Sequence, residues 1–489
     1  MNGYKQFFIP VITLLLILAC GDNKQQTLRK HETEAVEVDI PQSGWQKTVV
    51  VTPADSDTVT RVLTASLGRR LGQHGLKVVS GVTADESAAD YIINTKASRQ
   101  GSQLEISYTL KDVENDTVSE QTVIYEEEAM LTALEAVSMQ VSQSMGDTIS
   151  QESQSRSITG TVFQQYLNAE SFRQQGTPAA LNSAVRIYKT ILREDSLFTD
   201  AWLGLAECYL FLTEQGWEQH PVWMELAQQA GFKLQALSPV SGEGEMILGR
   251  IALIRGDYRN AELLFRQAIE KSPNLIAAWR GLGQIFGQYG LYDAALKMYD
   301  RTLELDSRDI QAGISKALIL GGQGKFGESA VLLEKLIAAQ PDARYLNSFL
   351  ALQLFYQDKT GEAMEAVRLG LADASYQPLS HAILAMIQAK QGDLDAALGE
   401  VEMEVKPLAG SNGSLATAIA AVYTLLNRKG EAIQWLDRAV QWGYKDYPWL
   451  VNDPNFMTLR EDERFQGICD TLKVVYDQKR QAYLNNQIL

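Results

Sequence analysis

The spacing of hydrophobic positions changes near residue 147. Before it, short β-branched or alternating runs such as Thr48–Thr52 and Leu104–Leu110 are interleaved with two stretches of helical spacing. Apolar residues with period two predict strands, whereas recurrence every three to four residues predicts amphipathic helices. The order β-α-β-β-β-β-α therefore predicts a small mixed sheet covered by two helices over residues 46–146.

From residue 161 the pattern is helical and recurs every 34 residues. Small side chains keep this interval, and bulky side chains follow each of them in the same register. The small set is Gly249, Gly283, Ala317, Ala351 and Ala385, and the bulky set is Phe265, Tyr299, Leu333, Val367 and Val401. We expect each small residue to lie where the second helix of a unit crosses the first, because only a small side chain permits close approach.

The 34-residue unit resembles the tetratricopeptide (TPR) repeat. The resemblance rests on Trp279-x-x-Leu282-Gly283-x-x-Phe286 and on the interval itself. Extending the register outward gives about seven repeats over residues 161–443. An insert from Thr213 to Pro221 predicts a longer turn inside one outer repeat. Residues 444–489, which include Tyr447–Phe456, resemble the segment that ends TPR arrays in bacterial regulators, and this resemblance implies a helical cap.

The amino terminus resembles a bacterial lipoprotein signal. Phe7–Ala19 is a mostly apolar run of 13 residues, shorter than the roughly 20 residues that a membrane-spanning helix needs. It ends in Leu18-Ala19-Cys20-Gly21, which is similar to a lipobox. The resemblance implies cleavage before Cys20, acylation of Cys20 and a periplasm-facing protein of the bacterial envelope, with the outer membrane favoured by Gly21-Asp22. The alternative is an ordinary secretory peptide.

Residues 46–146 resemble the amino-terminal domain of TolB-like and FlgO-like envelope proteins. The similar segments are Leu67–Leu71, Leu76–Ser80, Ala88–Ile93 and Tyr108–Asp112. The resemblance implies a non-enzymatic domain joined to other modules. Its acidic run, which includes Glu120, is expected to be a solvated edge that discourages pairing between copies, with a docking role as the alternative.

These patterns together predict an α+β chain with a mixed-sheet domain followed by an all-α solenoid. The expected segments are a signal peptide (1–19), a flexible tether (20–45), an α/β domain (46–146), a linker (147–160), a TPR array (161–443) and a carboxy-terminal cap (444–489).

Charge and cysteine content narrow the classes of function. The 489 residues include 44 Lys and Arg against 60 Asp and Glu, a formal net charge of −16, which disfavours nucleic-acid binding because phosphate contacts need clustered positive charge. Residues 20–160 hold 21 acidic but only 12 basic side chains. Three cysteines cannot form a disulfide framework, and we expect Cys208 and Cys469 to be buried, inert thiols.

No motif in the sequence predicts catalysis. Zinc-protease, serine-hydrolase, Cys-x-x-Cys and P-loop patterns are absent from it. The GxGxxG at Gly322–Gly327 lacks a preceding strand, and Gly324 lies 34 residues after Gly290, so we predict a repeat turn there. We expect no catalytic residue, no metal, no cofactor and no nucleotide. The alternatives are an enzyme with an unrecognised site in the α/β domain, or a structural or regulatory remnant of a signalling protein.

A binding surface is expected on the first helices, which line the inner face of TPR arrays. At the fifth and ninth repeat positions we define a cationic spot, Arg250, Arg280 and Gln284, and an apolar stripe, Met246, Leu318, Leu352 and Met386. The hypothesis is a protein or peptide partner with an acidic or carboxylate anchor and a hydrophobic face. The alternative is that the apolar positions pack against neighbouring repeats. The sequence thus predicts a membrane-anchored, non-catalytic adaptor or scaffold.

Overall fold

The computed structural model describes residues 48–54, 58–73, 76–80, 89–100, 103–126, 130–145, 160–214, 221–373, 377–410 and 412–486. The predictions for the signal peptide, Cys20 and the tether lie outside these residues, as does nearly all of the predicted linker. The described residues fall into two compact units. The first unit runs to Gly281 and includes Glu304–Ser307, and the second comprises Leu282–Leu303 and the residues from Arg308 onward.

The first unit begins with a five-stranded mixed sheet. Its strands are β1 (Thr48–Pro53), β2 (Lys77–Ser80), β3 (Tyr91–Gln100), β4 (Gln103–Asp112) and β5 (Thr117–Glu126). Their order across the sheet is β2-β1-β3-β4-β5 among the described residues. β1 is parallel to β2 and β3, whereas β3, β4 and β5 are antiparallel. The predicted element order is confirmed, with β3 extending to Gln100.

Two helices, α1 (Thr58–Gln73) and α2 (Met130–Ser144), lie on one face of this sheet. On β4, buried apolar residues alternate with half-buried polar ones, as period two requires. The Thr64 hydroxyl of α1 lies 2.6 Å from the Thr95 hydroxyl of β3, and the Tyr108 hydroxyl of β4 donates to Gln140 of α2. The predicted mixed sheet with two helices is therefore present.

Eight helix-turn-helix pairs occupy the described residues between 160 and 441. They are α3 (Gly160–Gln175) with α4 (Pro178–Glu194), α5 (Thr199–Glu214) with α6 (Pro221–Leu237), α7 (Glu243–Ile254) with α8 (Tyr258–Lys271), α9 (Ile276–Gln288) with α10 (Tyr292–Leu305), α11 (Ile310–Gly322) with α12 (Phe326–Ala339), α13 (Leu346–Tyr356) with α14 (Thr360–Leu371), α15 (Gln377–Gln391) with α16 (Leu394–Glu400), and α18 (Gly413–Leu425) with α19 (Lys429–Gln441). The sequence predicted about seven repeats, including outer ones that depart from the 34-residue interval.

Two of these pairs are irregular. In one, α5 ends at Glu214 and α6 begins at Pro221, and the predicted longer turn between them lies outside the described residues. In the other, α16 continues through a π-helical turn, Val401–Val405, into the short α17 (Lys406–Ala409). Pro407 lies at this junction. Because its backbone nitrogen carries no hydrogen, Pro407 cannot donate a helical hydrogen bond.

The carboxy-terminal cap comprises α20 (Tyr447–Asn452), a 3-10 turn (Pro454–Leu459) and α21 (Glu463–Leu484). An aspartate caps each start, since Asp446, Asp453 and Asp462 each accept a hydrogen bond from a backbone N–H of the first turn. No helix in the described ranges combines the length and the apolar character needed to cross a membrane.

Candidate protein-binding surface

The repeats pack by fitting aromatic rings against glycines. A Cβ placed on Gly249 would lie 2.8 Å from the ring of Phe265, and one on Gly281 would lie 2.4 Å from the same ring. In the second unit, a Cβ on Gly283 would lie 2.7 Å from Tyr299. The predicted close approach at the small positions is therefore confirmed for Gly249 and Gly283. Where the small residue is Ala, at 317, 351 and 385, the residue sixteen positions later is aliphatic.

A left-handed residue ends the first helix of six consecutive pairs. These residues are Gly256, Gly290, Gly324, Asp358, Gly392 and Asn427, with φ between 57° and 87°. Glycine and, less readily, Asn or Asp adopt this conformation, which closes helix carboxyl termini. Gly324 is one of the series and follows helix α11 rather than a strand, so the prediction that this GxGxxG is a repeat turn is confirmed.

The apolar stripe is buried. Met246 of the first unit is 4% exposed, and Leu318, Leu352 and Met386 of the second unit are at most 1% exposed. A partner could not contact these side chains in this conformation, because they already fill the packed interior. Their assignment as partner-binding residues is corrected here, and the alternative of packing within the array accounts for them.

The cationic spot is only partly buried. Arg250, Arg280 and Gln284 each keep intermediate exposure, with both arginines in the first unit and Gln284 in the second. Both arginines take part in interactions within the chain, so a partner carboxylate would compete with those contacts. The polar part of the predicted surface thus remains accessible.

Within the second unit, the cap is held against the α9–α10 turn. The hydroxyl of Tyr292 lies 2.8 and 3.0 Å from the two carboxyl oxygens of Asp446. A Cβ on Gly290 would lie 2.5 Å from the ring of Pro448, so the left-handed glycine also permits this close contact. Further along the cap, the rings of Tyr483 and Phe286 meet edge to face at 5.5 Å.

A second set of contacts joins the cap to the end of α13. The Tyr356 hydroxyl lies 3.3 Å from each carboxyl oxygen of Asp453 and accepts a 2.7 Å hydrogen bond from the Asn455 amide. Its ring packs edge to face on Trp449 at 6.0 Å. Together with the Tyr292–Asp446 pair, these residues form what we call the cap latch: Tyr292, Tyr356, Asp446, Asp453 and Asn455.

The two carboxyl groups of the cap latch are buried. Burial raises the pKa of Asp446 to about 8, although the Trp449 backbone N–H and the Tyr292 hydroxyl favour the charged form. Burial likewise raises the pKa of Asp453 to about 7, against hydrogen bonds from Asn455 and Tyr356. Sequence reasoning missed this set. Nothing local in the sequence linked Asp446 and Asp453 to tyrosines 154 and 97 residues away.

In the first unit, Asn274 covers the outer edge of β2. Its side-chain oxygen accepts from the Val78 backbone N–H at 3.2 Å, and its amide donates to the Leu76 carbonyl at 2.8 Å. The side-chain amide therefore satisfies two backbone groups that a neighbouring strand would otherwise pair. Arg70 of α1 also approaches Asp200 of α5 at 3.9 Å. The sheet and the first repeats consequently belong to one compact unit.

Arg173, Cys208 and Cys469 are titratable groups outside the predicted binding surface. Arg173 pairs with Glu170 at 2.6 Å and with Glu207 at 2.9 Å, so each charge has a partner of opposite sign. Burial raises the pKa of Cys208 to about 12 and that of Cys469 to about 11, which disfavours the reactive thiolate. In the described part of the chain, no three His, Cys, Asp or Glu side chains are placed to hold a metal ion.

These features agree with a match to a known repeat family. The model of the tetratricopeptide repeat family matches residues 252–319, which fall within the register described above. The chain contains tetratricopeptide repeats. Helix pairs continue on both sides of the matched segment, over residues 160–441.

Curated relatives share only part of this TPR chain. Transcriptional regulator HilA of Salmonella paratyphi A is 28% identical over 169 residues, 35% of this chain and 30% of the relative. Superkiller protein 3 of Saccharomyces cerevisiae is 33% identical over 72 residues, 15% of this chain and 5% of the relative. The chain therefore spans less than a third of the length of either protein.

Solved structures with similar repeats cover more of the chain. A TPR protein from Parabacteroides merdae is 14% identical and aligns over 58% of this chain and 100% of its own, with a TM-score of 0.36. The APC/C hetero-tetramer Cut9–Hcn1 is 15% identical over 64% of this chain and 62% of its own, with a TM-score of 0.43. Both TM-scores are low, so the repeat assignment rests on the family match and the packing.

Proposed function

We propose that this protein is a lipid-anchored, non-catalytic adaptor that binds other proteins through the first helices of its TPR array. The observation that carries the proposal is the partial exposure of Arg250 and Arg280, which lie in the first unit on the first helices of two successive pairs. TPR arrays offer such a surface without further chemistry, because rigid helix pairs present side chains at fixed spacing.

The partner is proposed to carry an acidic side chain or a terminal carboxylate. Arginine guanidinium groups bind carboxylates through two parallel hydrogen bonds, and such charge-assisted bonds are about twice as strong as neutral ones. Because the apolar stripe is buried, a hydrophobic face on the partner is no longer part of the proposal. Recognition would then depend on Arg250, Arg280 and Gln284, with the Gln284 amide adding a neutral donor and acceptor.

The anchor is proposed to be an acylated Cys20 at the start of a tether of about 25 residues. Burial of acyl chains contributes about 0.8 kcal/mol for each CH₂ group, and stable attachment needs more than one chain. A flexible tether of this length spans roughly 25–30 Å. Such a tether would hold the folded units clear of a membrane in the bacterial envelope, where the outer membrane is the favoured location.

The anchor is tested by membrane fractionation. Cys20→Ser should move the protein from the membrane to the soluble fraction, because the acylated sulfur is lost. Cys208→Ala, which removes a different thiol, should leave the protein on the membrane. If Cys20→Ser fractionated like the parent chain, the proposed lipid anchor would be excluded.

The binding surface is tested by site-specific photo-crosslinking in intact cells. A photo-crosslinking amino acid in place of Gln284 should capture a partner through an acidic or carboxy-terminal segment, which mass spectrometry of the crosslinked peptide would identify. The same amino acid in place of Lys297, an exposed residue of α10, should not capture it. Equal capture from both positions, or attachment to a segment without acidic groups, would contradict the proposed surface.

A further inference from the structure

The outermost strand of the sheet, β5, is exposed along its length. β5 pairs with β4 over ten residues, and no other strand pairs with it among the described residues. Eight of its ten residues are exposed and the other two are intermediate. The outward edge of such a strand carries backbone N–H and C=O groups in the spacing that an added strand requires.

The two edges of this sheet differ in whether a side chain covers their outward backbone groups. At the β2 edge, the Asn274 side chain already bonds the Val78 N–H and the Leu76 carbonyl. At the β5 edge, the described residues provide no such cover. A long, uncovered edge is normally a liability, because it can pair with other chains. The retained β5 edge is therefore a candidate for strand addition.

The side chains of β5 specify what kind of strand would fit. Val118 and Ile124 are 63% and 61% exposed and lie on the sheet face opposite α1 and α2, since alternate residues share a face. Glu120 and Glu126 lie on that same face and are exposed. β5 contains no lysine or arginine. A neighbouring strand would place its own side chains about 5 Å from these four residues.

We propose that β5 binds an extended segment of another protein that alternates apolar and basic residues and adds to the sheet as a sixth strand. Backbone pairing would supply affinity, and lysine or arginine beside Glu120 and Glu126 would supply specificity. A second copy of this chain is a poor occupant, because β5 has two exposed glutamates and no lysine or arginine, so two copies offer each other no opposite charge. This surface is separate from the proposed TPR surface and does not depend on it.

The test uses the full chain in detergent and a labelled ten-residue peptide. One face of the peptide reads lysine, valine, threonine, lysine, valine, so that in an antiparallel register the lysines oppose Glu126 and Glu120. The other face is threonine and serine. Two comparison peptides separate the contribution of charge from that of backbone pairing. The first carries glutamate in place of lysine, and the second carries N-methyl groups on the alternate amides that would pair with β5.

Binding should be accompanied by slower hydrogen exchange at the backbone amides of residues 117–126, without a change in α7 and α9. Glu120→Lys with Glu126→Lys should weaken binding by about tenfold, as expected for two partly solvated ion pairs. Glu404→Lys with Glu461→Lys changes the net charge equally at two other exposed positions and should leave binding unchanged. Both comparison peptides should bind at least about tenfold more weakly.

Several results would overturn the proposal. Equal weakening by the two double variants would show that the peptide responds only to net charge. Protection confined to the TPR helices would place the peptide elsewhere. Dimers of the free chain in light scattering that are lost in the Glu120→Lys, Glu126→Lys variant would assign the edge to a second copy. Peptide binding that appears only after deletion of residues 21–45 would assign it to the chain's own tether.

Discussion

The hydroxyl of Tyr292 and the carboxyl group of Asp446 meet at 2.8 and 3.0 Å although 154 residues separate them. Both groups are buried, Tyr292 at the start of α10 and Asp446 at the cap of α20. This contact ties the end of the second unit to its beginning. The cap is thus more than a cover for the last repeat, because its latch joins helix pairs that share no local sequence contact.

Tyr292→Phe should lower the free energy of unfolding of the full chain by about 1–3 kcal/mol, because Asp446 stays buried with one partner fewer. The measurement is urea denaturation followed by circular dichroism. The matched control is Tyr444→Phe, since the Tyr444 hydroxyl is buried without a hydrogen-bond partner among the described residues. That control should be neutral or stabilising, and an equal loss in both variants would contradict the latch.

The stability of the second unit should fall as the pH rises from about 5 to about 8.5. Burial places the pKa of Asp446 at about 8 and that of Asp453 at about 7, both above the ordinary value of 3.8. The folded state therefore holds protons that the unfolded chain releases, and stability present below pH 4 is lost progressively up to these values. For each aspartate that stays protonated only in the folded state, the free energy of unfolding falls by about 1.4 kcal/mol for each pH unit in that window.

The pH prediction is checked by denaturation at pH 5.5 and 8.5 of the parent chain and of Asp446→Asn with Asp453→Asn. The neutral amides keep the shape of the carboxyl groups but cannot ionise. The difference in stability between the two pH values should shrink in the double variant. If the double variant kept the full difference, these aspartates would not be its source.

A double-mutant cycle should reveal how Gly283 and Tyr299 fit together. Gly283→Ala should destabilise by about 1–3 kcal/mol through overpacking, partly offset by about 1 kcal/mol of better helix propensity. Adding Tyr299→Leu recreates the alanine and leucine found at 317 and 333. The pair should therefore show a favourable coupling of about 1–2 kcal/mol.

The control for this cycle is Gly361→Ala. A Cβ at Gly361 would meet nothing within 4 Å, so alanine there should be neutral or slightly stabilising. The measurement is the denaturation midpoint of the parent chain, the two single variants, the double variant and this control. Strictly additive effects of the two substitutions would rule out the proposed fit between glycine and ring.

Asn274→Ala should loosen the β2 edge. Loss of the two hydrogen bonds to Leu76 and Val78 should speed hydrogen exchange at the Val78 amide by about tenfold, in proportion to about 1–2 kcal/mol of lost local stability. Asn260→Ala, at an exposed position of α8, serves as control and should leave this exchange unchanged. Unaltered protection of Val78 in the Asn274 variant would show that other contacts hold the edge.

The regular parts of the fold were predictable because they follow from period and size. The alternation on β4 fixed its buried face, and the 34-residue recurrence located the close approaches at Gly249 and Gly283. Pairing across long separations was not predictable, since one sequence carries no signal that links Asp446 to Tyr292 or Asn274 to β2.

The candidate surface was predictable only in part. Repeat position predicted Arg250, Arg280 and Gln284 as partner-binding residues, and the structure leaves them partly accessible, but repeat position could not separate inward-facing from buried side chains. Met246, Leu318, Leu352 and Met386 occupy equivalent positions and are nevertheless enclosed. Accessibility at such positions depends on the packing of neighbouring helices, which the spacing of one helix does not encode.

The most direct test of the adaptor account is quantitative crosslinking in intact cells with Arg250→Glu and Arg280→Glu combined. The control is Arg259→Glu with Lys297→Glu, which changes the charge equally at exposed positions of the second helices. Helical content should be unchanged in both variants by circular dichroism. The account predicts that proteins crosslinked to the parent and to the control are reduced about tenfold or more with the arginine variant. Recovery of the same proteins in the same amounts from all three chains would contradict it.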